Sequence, residues 1–214
     1  MKFFITIKQK SIRLKNKNFV TLGGVPLWKH LLLELKGQNV FIDTDSSTII
    51  KECSHMDWVC AYERDQYHID IEEDTRSECG PGLMMIERFL DEHVLDENEV
   101  IIQSHTTSPF IKLETMLDAA NKLQNGYDSV LACTTIQGFA YYQTKPVNFN
   151  PKILKKTQDL EPILLGNGAF YIFTKKTFKK HNNRTGNPYF YSLSFKEGIE
   201  IDTIDDYELA KRYV

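Results

Sequence analysis

The sequence predicts a single α/β domain, built on a sheet with helices packed against it. Its 214 residues are enough for one domain with a sizeable core. Short apolar runs of the length of buried strands recur along the chain, and amphipathic stretches with helical spacing separate them. Strands that alternate with helices in this way are typical of layered α/β proteins. Neither repeats nor low-complexity tracts indicate a second independent domain.

Six segments are predicted as strands and four as helices. The strands are 3–7, 40–43, 58–62, 100–103, 129–133 and 169–173, and the helices are 26–36, 82–93, 112–124 and 204–213. Thr203 suits the N-cap of the last helix, with Asp205 and Asp206 in its first turn. Between 133 and 169 the periodicity weakens, so this part is predicted to leave the sheet as a dimer arm, a cover for the substrate, or both.

Composition limits the classes of partner and the compartment. The net charge of −3 gives no overall attraction to nucleic acid or to an anionic membrane, so phosphate would have to be bound by a local cluster. The first apolar run ends at Ile7 and a basic stretch follows, which predicts a buried strand rather than a signal peptide, and no run approaches membrane-spanning length. A reducing cytoplasm is predicted, because the cysteines are few and lack paired spacing. They are Cys53, Cys60, Cys79 and Cys133.

A basic loop follows the first predicted strand. Its cations, with no acid between them, are Lys8, Lys10, Arg13, Lys15 and Lys17. Such a density repels itself unless an anion binds, and the loop after the first strand of an open α/β sheet is a common phosphate cradle. A triphosphate would neutralise the cluster, with Ser11 and backbone N–H groups adding hydrogen bonds. A solvated basic loop is the alternative, since the loop carries neither the Walker pattern nor the Rossmann glycines.

Other candidate residues lie at predicted strand ends. Asp43 and Asp45 form an Asp-x-Asp arrangement, by which many glycosyltransferases hold a metal and a nucleotide-sugar diphosphate, although a strand ending in Thr-Asp-Ser is also ordinary turn chemistry. His105 precedes a Thr-Ser-Pro helix entry that explains its neighbours but not the histidine, which is left for ligand contact. In a strand, the period of two would put Glu200 and Asp202 on one face, so both carboxylates could reach one ion. Two exposed acids on an edge strand are the alternative.

Seven segments, in the same order, resemble the acylneuraminate cytidylyltransferase family (CMP-sialic acid synthetase-like), which is related to the CMP-Kdo synthetases. The basic loop is similar to the family's signature loop, matching it at Ser11, Leu14, Lys17 and Asn18. The other segments are LGGVPL from position 22, VFIDTDSSTI from 40, IIQSHTTSPF from 101, TQDLEP from 157, NGAFYIF from 167 and GIEIDTIDDYEL from 198. The resemblance therefore covers almost the whole chain.

This resemblance implies a single Rossmann-like nucleotidyltransferase domain over 1–214, with a mixed, mostly parallel sheet and a small dimerisation arm at about 137–166. The implied enzyme transfers CMP from CTP to the anomeric hydroxyl of an acidic acyl sugar and releases pyrophosphate, for surface polysaccharide or glycan synthesis. Mg²⁺ is the implied cofactor. The implied partners are CTP, the acidic sugar and a second copy of the chain, with neither nucleic acid nor membrane.

Site residues are also implied by the resemblance. The nucleotide would be bound by Lys8, Ser11, Arg13, Lys17, Asn18 and Arg64, and the sugar by His105, Thr107, Gln158 and Asn167. Glu200 and Asp202 would hold magnesium, while Arg13, Lys17 and Asp202 would act at the reacting phosphate. For Arg64 a surface position is the alternative.

Three departures from the family pattern leave other functions open. Ile12 stands where sialic acid synthetases have a lysine, Thr157 where they have an arginine, and Glu200 where they have an aspartate. One alternative is therefore a relative that still binds nucleotide but has lost catalysis. Another is a metal-dependent GT-A-type glycosyltransferase that uses Asp43 and Asp45.

Overall fold

The structure is a computed structural model that describes residues 1–74 and 80–214. Its strands are β1 (Lys2–Ile7), β2 (Thr21–Leu22), β3 (Val25–Pro26), β4 (Val40–Thr44), β5 (Val59–Glu63), β6 (Val100–Ser104), β7 (Ser129–Ile136), β8 (Tyr141–Tyr142), β9 (Lys145–Pro146), β10 (Ile163–Thr174) and β11 (Pro188–Ser192). Its α-helices are α1 (Leu27–Glu34), α2 (Ser47–Cys53), α3 (Gln66–Glu73), α4 (Gly82–His93), α5 (Leu113–Ala120), α6 (Lys175–His181) and α7 (Ile204–Ala210). The 3₁₀ turns are Lys17–Phe19, Asn121–Asn125, Thr157–Asp159 and Lys211–Tyr213.

All six predicted strands and all four predicted helices are confirmed. Three helices end earlier than predicted: α1 ends at Glu34, and α5 and α7 each pass into a 3₁₀ turn. The predictions missed α2, α3, α6, β11 and the two-residue strands. Two of these elements carry weak signals: α6 reads KKTFKKH, with Phe178 as its only large apolar residue, and β11 begins with Pro188 at the sheet edge.

Seven strands form the central sheet, in the order β11-β7-β10-β6-β1-β4-β5. Strand β10 runs antiparallel to its neighbours β6 and β7, while the other strand pairs of this sheet are parallel. The predicted mixed, mostly parallel α/β sheet is therefore confirmed. In register, Ile7 pairs with Thr44 and Thr44 with Glu63, so the carboxyl ends of β1, β4 and β5 lie at one edge.

Helices cover both faces of the sheet. On one face α1, α2 and α5 pack against alternate residues of the strands, and the indole of Trp28 is buried there. On the other face α4 and α6 pack, and the ring of Phe89 stacks on Phe4 with 4.5 Å between centroids. Burial on both sides explains why the central strands are continuous apolar runs rather than alternating ones. It also leaves the strand ends as the place for polar chemistry.

Between β7 and β10 the chain leaves the sheet, over residues 137–162. The small β8–β9 ribbon lies here, and Asn148 ties it together by accepting from Ala140 N at 3.0 Å and donating to Gly138 O at 2.8 Å. Several large apolar side chains of this excursion are exposed, including Tyr141, Tyr142 and Leu154. The last residues of the predicted arm, 163–166, belong to β10.

The cysteines described by the structure, Cys53, Cys60 and Cys133, are free thiols, and Cys79 lies outside the described residues. Across residues 1–74 and 80–214, no helix has both the length and the apolar character needed to cross a bilayer.

Thr203 caps α7 through a capping box. Its hydroxyl accepts from the N–H of Asp206, whose carboxylate accepts in return from Thr203 N. Thr203→Ala removes the side-chain half of this box, so we expect the free energy of unfolding to fall by about 1 kcal/mol in urea denaturation. Thr48→Ala, at an exposed position in α2, is the control and should stay within about 0.5 kcal/mol of the parent. Equal losses in the two variants would contradict the capping role.

Candidate functional site

A cavity of about 400 Å³ opens at the carboxyl edge of the sheet. The loop after β1 forms one wall and contributes Lys8, Ser11, Arg13 and Lys17. The residues that follow β5 and β6 form the opposite wall, with Arg64, His105 and Thr107 among them. Of the loop cations, Lys10 and Lys15 do not line the cavity. The structure thus gathers most of the predicted nucleotide-binding residues around one space.

Asn18 holds the basic loop closed. Its side-chain amide donates to Lys8 O at 2.8 Å and accepts from the Thr106 hydroxyl at 2.7 Å. The loop ends in the 3₁₀ turn Lys17–Phe19, preceded by Asn16 in the left-handed region at φ 54°. Both ends of the Asn18 amide are therefore engaged within the protein, and its contribution is to position the loop. The buried hydroxyl of Ser11, by contrast, has no protein partner among the described residues and borders the cavity.

Glu72, from α3, bridges two of the cavity's cations. Its carboxylate accepts from Lys8 Nζ at 3.0 Å and from Arg64 Nη1 at 2.8 Å. Arg64 is 3% exposed, so it is a buried residue rather than the surface arginine that was the alternative. Its Nε donates to Asp43 at 2.6 Å, which leaves the cavity side of the guanidinium to Glu72. Sequence reasoning missed Glu72, since nothing distinguishes it from the other acids of α3.

The Asp-x-Asp arrangement is not an open metal site. Asp43 is fully buried in its ion pair with Arg64, and its pKa is raised because burial outweighs that pairing. Asp45 accepts instead from the backbone N–H of Gln9 at 2.6 Å. Both carboxylates are therefore engaged in contacts within the protein near the strand ends, and the structure gives no support to the glycosyltransferase alternative.

Asp202 forms ion pairs with two cations of the basic loop. Lys17 Nζ lies 2.5 Å from one carboxylate oxygen, and Arg13 Nη1 lies 2.9 Å from the other. The prediction that Glu200 and Asp202 belong to a strand is wrong, because Ile201 N donates to Thr107 O at 2.7 Å without a continuing ladder. Both acids nevertheless point away from the core, since the residues that alternate with them, Ile199 and Ile201, are buried.

The Glu200 carboxylate packs against Gly168, near the point where β10 becomes buried. Its carboxylate accepts from Gly168 N and from the Thr107 hydroxyl, both at 3.3 Å. A Cβ atom at Gly168 would overlap the Glu200 carboxylate, so this contact requires glycine at position 168. Within the described residues, no three His, Cys, Asp or Glu side chains converge to hold a metal ion on their own. Two carboxylates still fit magnesium, which is usually bound by one or two acids together with phosphate oxygens.

His105 lies where the cavity meets Gly168. Its Nδ1 lies 2.6 Å from Gly168 O, and a proton donated along this contact leaves Nε2 as an acceptor. Burial, together with the nearby charges of Arg184 and Lys17, lowers the pKa of His105 to about 4. The imidazole is therefore neutral at physiological pH.

The other two predicted sugar contacts are placed differently. Asn167 is buried, and its amide donates to Gly198 O and accepts from Ala169 N, both at 2.8 Å. Gln158 is exposed in the excursion and does not line the cavity. Within one chain, the structure brings together His105, Thr107, Glu200 and the loop, but not Gln158.

Cations that face two acids lie at the carboxyl edge of this mostly parallel sheet, which is where open α/β domains bind their ligands. Residues 5–213 match the family model described as Cytidylyltransferase, and the chain belongs to that family. It is 25% identical over 207 residues to N-acylneuraminate cytidylyltransferase A of Danio rerio, covering 92% of this chain and 47% of that protein. With N-acylneuraminate cytidylyltransferase of Oncorhynchus mykiss it shares 25% identity over 211 residues, covering 92% and 46%. The chain thus spans about half the length of the curated relatives it matches.

Solved structures share the fold at low identity. The structure titled CMP:2-keto-3-deoxy-manno-octonic acid synthetase complexed with CTP has a TM-score of 0.67 and 12% identity, covering 99% of this chain and 96% of that one. The 4-diphosphocytidyl-2C-methyl-D-erythritol synthase of Anaerococcus prevotii has a TM-score of 0.66 and 15% identity, covering 99% and 95%. The family resemblance and fold class predicted from the sequence are thereby confirmed.

Titration of His105 gives a pH-dependent prediction. The unfolded chain takes up this proton near pH 6.5, whereas the folded protein resists protonation down to about pH 4. The unfolded state therefore binds more protons in this window, and stability falls as the pH falls from 6.5 to 4. We expect His105→Gln to reduce this loss by on the order of 2 kcal/mol in urea denaturation at both pH values. An NMR midpoint for His105 near 6.5 would contradict the account.

Proposed function

We propose that this protein is a CTP-dependent cytidylyltransferase that transfers CMP to the anomeric hydroxyl of an acidic acyl sugar. The observation that carries the proposal is the contact of Lys17 and Arg13, which line the cavity, with Asp202, while Glu200 contacts Thr107 of the same cavity. Cations for a triphosphate and carboxylates for a divalent ion occupy one site. Family membership and the N-acylneuraminate cytidylyltransferases among the relatives support the same chemistry.

Binding of CTP would exchange ion pairs within the cavity. Lys8 and Arg64 now share Glu72, while Lys17 and Arg13 share Asp202. A triphosphate as a whole carries more negative charge than these two carboxylates together, and its oxygens can accept hydrogen bonds from the same donors. The Ser11 hydroxyl, which has no protein partner, would add one more. Nucleotide binding by this account releases Glu72 from Lys8 and frees Asp202 for a metal.

Glu200 and Asp202 are the residues that would hold magnesium. The ion would neutralise phosphate charge and orient the triphosphate. Glu200 is already held by Gly168 N and Thr107, so one carboxylate is fixed before the ligand enters. Placement of a carboxylate by such neighbouring donors is a common requirement of metal sites.

In the reaction, the anomeric hydroxyl oxygen attacks the α-phosphorus of CTP. The bond between this phosphorus and the oxygen bridging to the β-phosphate breaks, and that oxygen leaves with pyrophosphate. The hydroxyl proton passes to solvent. His105 and Thr107 would hold the sugar in line with the phosphorus, since both line the cavity next to Glu200. Neutral His105 can accept a hydrogen bond from a sugar hydroxyl through Nε2.

Pyrophosphate release tests the proposed function. The protein is incubated with CTP, magnesium and each member of a panel of eight- and nine-carbon acidic sugars, with chelator in a parallel series. We expect metal-dependent release with at least one acid. CTP binding without release from any sugar would favour a relative that has lost catalysis, to which the departures at Ile12, Thr157 and Glu200 point. Turnover of a nucleotide sugar without CTP would favour the glycosyltransferase.

Homodimerisation and a cytoplasmic location form part of the proposal. The exposed apolar side chains of residues 137–162 support a contact with a second copy, and Gln158 would then serve the partner's site. Light scattering coupled to size-exclusion chromatography would measure the mass of the particle. The free thiols are compatible with a reducing compartment.

Lys17→Ala is predicted to weaken CTP binding by about 10- to 100-fold, because a charge-assisted hydrogen bond to phosphate is lost. The matched control is Lys15→Ala, which removes an exposed lysine of the same loop that does not line the cavity. Isothermal titration calorimetry measures both affinities, and thermal melting shows that both variants are folded. An unchanged affinity in Lys17→Ala would remove the loop from the nucleotide site.

Substitutions at two glycines of β10 test whether the contact between Glu200 and Gly168 matters for metal binding. Gly168→Ala would push the Glu200 carboxylate away, whereas a Cβ at Gly166 meets no atom within 4 Å. We expect Gly168→Ala to raise the magnesium concentration for half-maximal activity by about 10-fold or more, and Gly166→Ala to leave it unchanged. The melting temperatures identify any general loss of fold. If both variants respond alike, Glu200 has no special place in the metal site.

A further inference from the structure

Arg184 is a half-buried cation that the proposed reaction has not used. It lies in the loop between α6 and β11, with its guanidinium carbon 3.4 Å from the centroid of the Tyr171 ring. Its Nη1 donates to the neutral Gln103 side chain at 2.5 Å. No Asp or Glu among residues 1–74 and 80–214 forms an ion pair with it.

A sheltered charge without a counter-ion is costly, and proteins usually pair such groups. Burial lowers the pKa of Arg184, with Tyr171 opposing this effect. Stacking on the Tyr171 ring fixes the plane of the Arg184 guanidinium and leaves N–H groups at its edge available to an acceptor. A planar fork of this kind binds carboxylates through two parallel hydrogen bonds. The arrangement therefore suits an anionic ligand.

Hydrogen bonds on both sides of Arg184 hold its loop in place. Asn183 accepts from Thr185 N at 3.3 Å, and Gly186 N donates to the Ser129 hydroxyl at 3.1 Å. A Cβ at Gly186 would overlap the Asp128 carboxylate, so the loop packs closely against the start of β7. Arg184 is thus presented from a fixed backbone, which favours a defined ligand position.

Arg184 does not line the cavity itself, but Tyr171 connects it to His105, which does. Tyr171 pairs in register with Gln103, and its ring is 6.1 Å from the ring of His105. His105 in turn contacts Gly168 O, and the N–H of the same glycine donates to the Glu200 carboxylate. The side chains of Arg184, Tyr171 and His105 therefore form a row of neighbours that ends at the cavity.

We propose that Arg184 binds the carboxylate of the acidic sugar and so selects acids over neutral analogues. This inference rests on the proposed function, because it assigns the acidic group of that substrate to a residue. A sugar with its carboxylate on Arg184 and a hydroxyl against His105 would be held at two points. Because the carboxylate of such a sugar is bonded to the anomeric carbon itself, its contact with Arg184 would also orient the anomeric hydroxyl towards the α-phosphate.

The test compares an acid with its own amide. Pyrophosphate release is measured with N-acetylneuraminate, or with whichever acid of the panel the parent protein uses best, and with the carboxamide of the same sugar. The variants are Arg184→Met, which keeps the length of the side chain, and Arg184→Lys, which keeps the charge but loses the fork. Arg212→Met, at an exposed position in the last turn, is the matched control.

We expect the parent and Arg212→Met to prefer the acid by about 10- to 100-fold in kcat/KM. Arg184→Met should lose this preference by lowering kcat/KM for the acid alone, and Arg184→Lys should keep part of it, with KM for CTP unchanged in both. An equal loss with acid and amide, or a preference retained in both variants, would overturn the proposal. If Arg184→Met does not fold, Arg184→Lys decides the matter alone. Release by the parent from no acid at all would instead contradict the proposed function.

Discussion

The ion pair between Lys17 and Asp202 joins two segments that lie 185 residues apart in the chain. It fixes the basic loop after β1 against the acidic segment before α7, and the cavity lies along this junction. Neither charge is free in solvent: the Lys17 side chain is 12% exposed and that of Asp202 27%. Breaking the pair without supplying new partners would leave two poorly solvated charges. The acids Glu72 and Asp202 therefore balance the charge of the cations that line the cavity.

This balance links folding to ligand binding. Glu72 on one side and Asp202 on the other keep Lys8, Arg64, Lys17 and Arg13 in positions that a triphosphate could use. Preformed placement lowers the ordering cost of binding, while the competing carboxylates reduce the net gain. The same logic extends to the sugar side, where Arg184 lacks an acidic partner among the described residues and is held by Tyr171 instead. The cations of the basic loop that line the cavity are thus paired with acids, whereas Arg184, outside the cavity lining, contacts Tyr171 and Gln103.

The sequence was most informative where physical signals are dense. Buried strands appeared as apolar runs because both sheet faces are covered, and the loop cations stood out because five occur without an acid between them. Long-range pairing could not be foreseen: Glu72 is one acid among several in α3, and Arg184 is a single cation in a polar loop. The strand predicted at Glu200 and Asp202 failed because tertiary packing of Ile199 and Ile201, rather than a ladder, orders that segment. Asn167 and Asn18 looked available for ligands, yet other groups of the protein occupy both ends of each amide.

A crystal structure of the protein with CTP and magnesium would test the central claim most directly, because it shows which partners the cavity's cations choose. The account predicts triphosphate oxygens within about 3 Å of Lys8 and Lys17, with Glu72 withdrawn from Lys8 and Asp202 turned towards the metal. A triphosphate bound outside the cavity, with the pairs Lys8–Glu72 and Lys17–Asp202 intact, would contradict it.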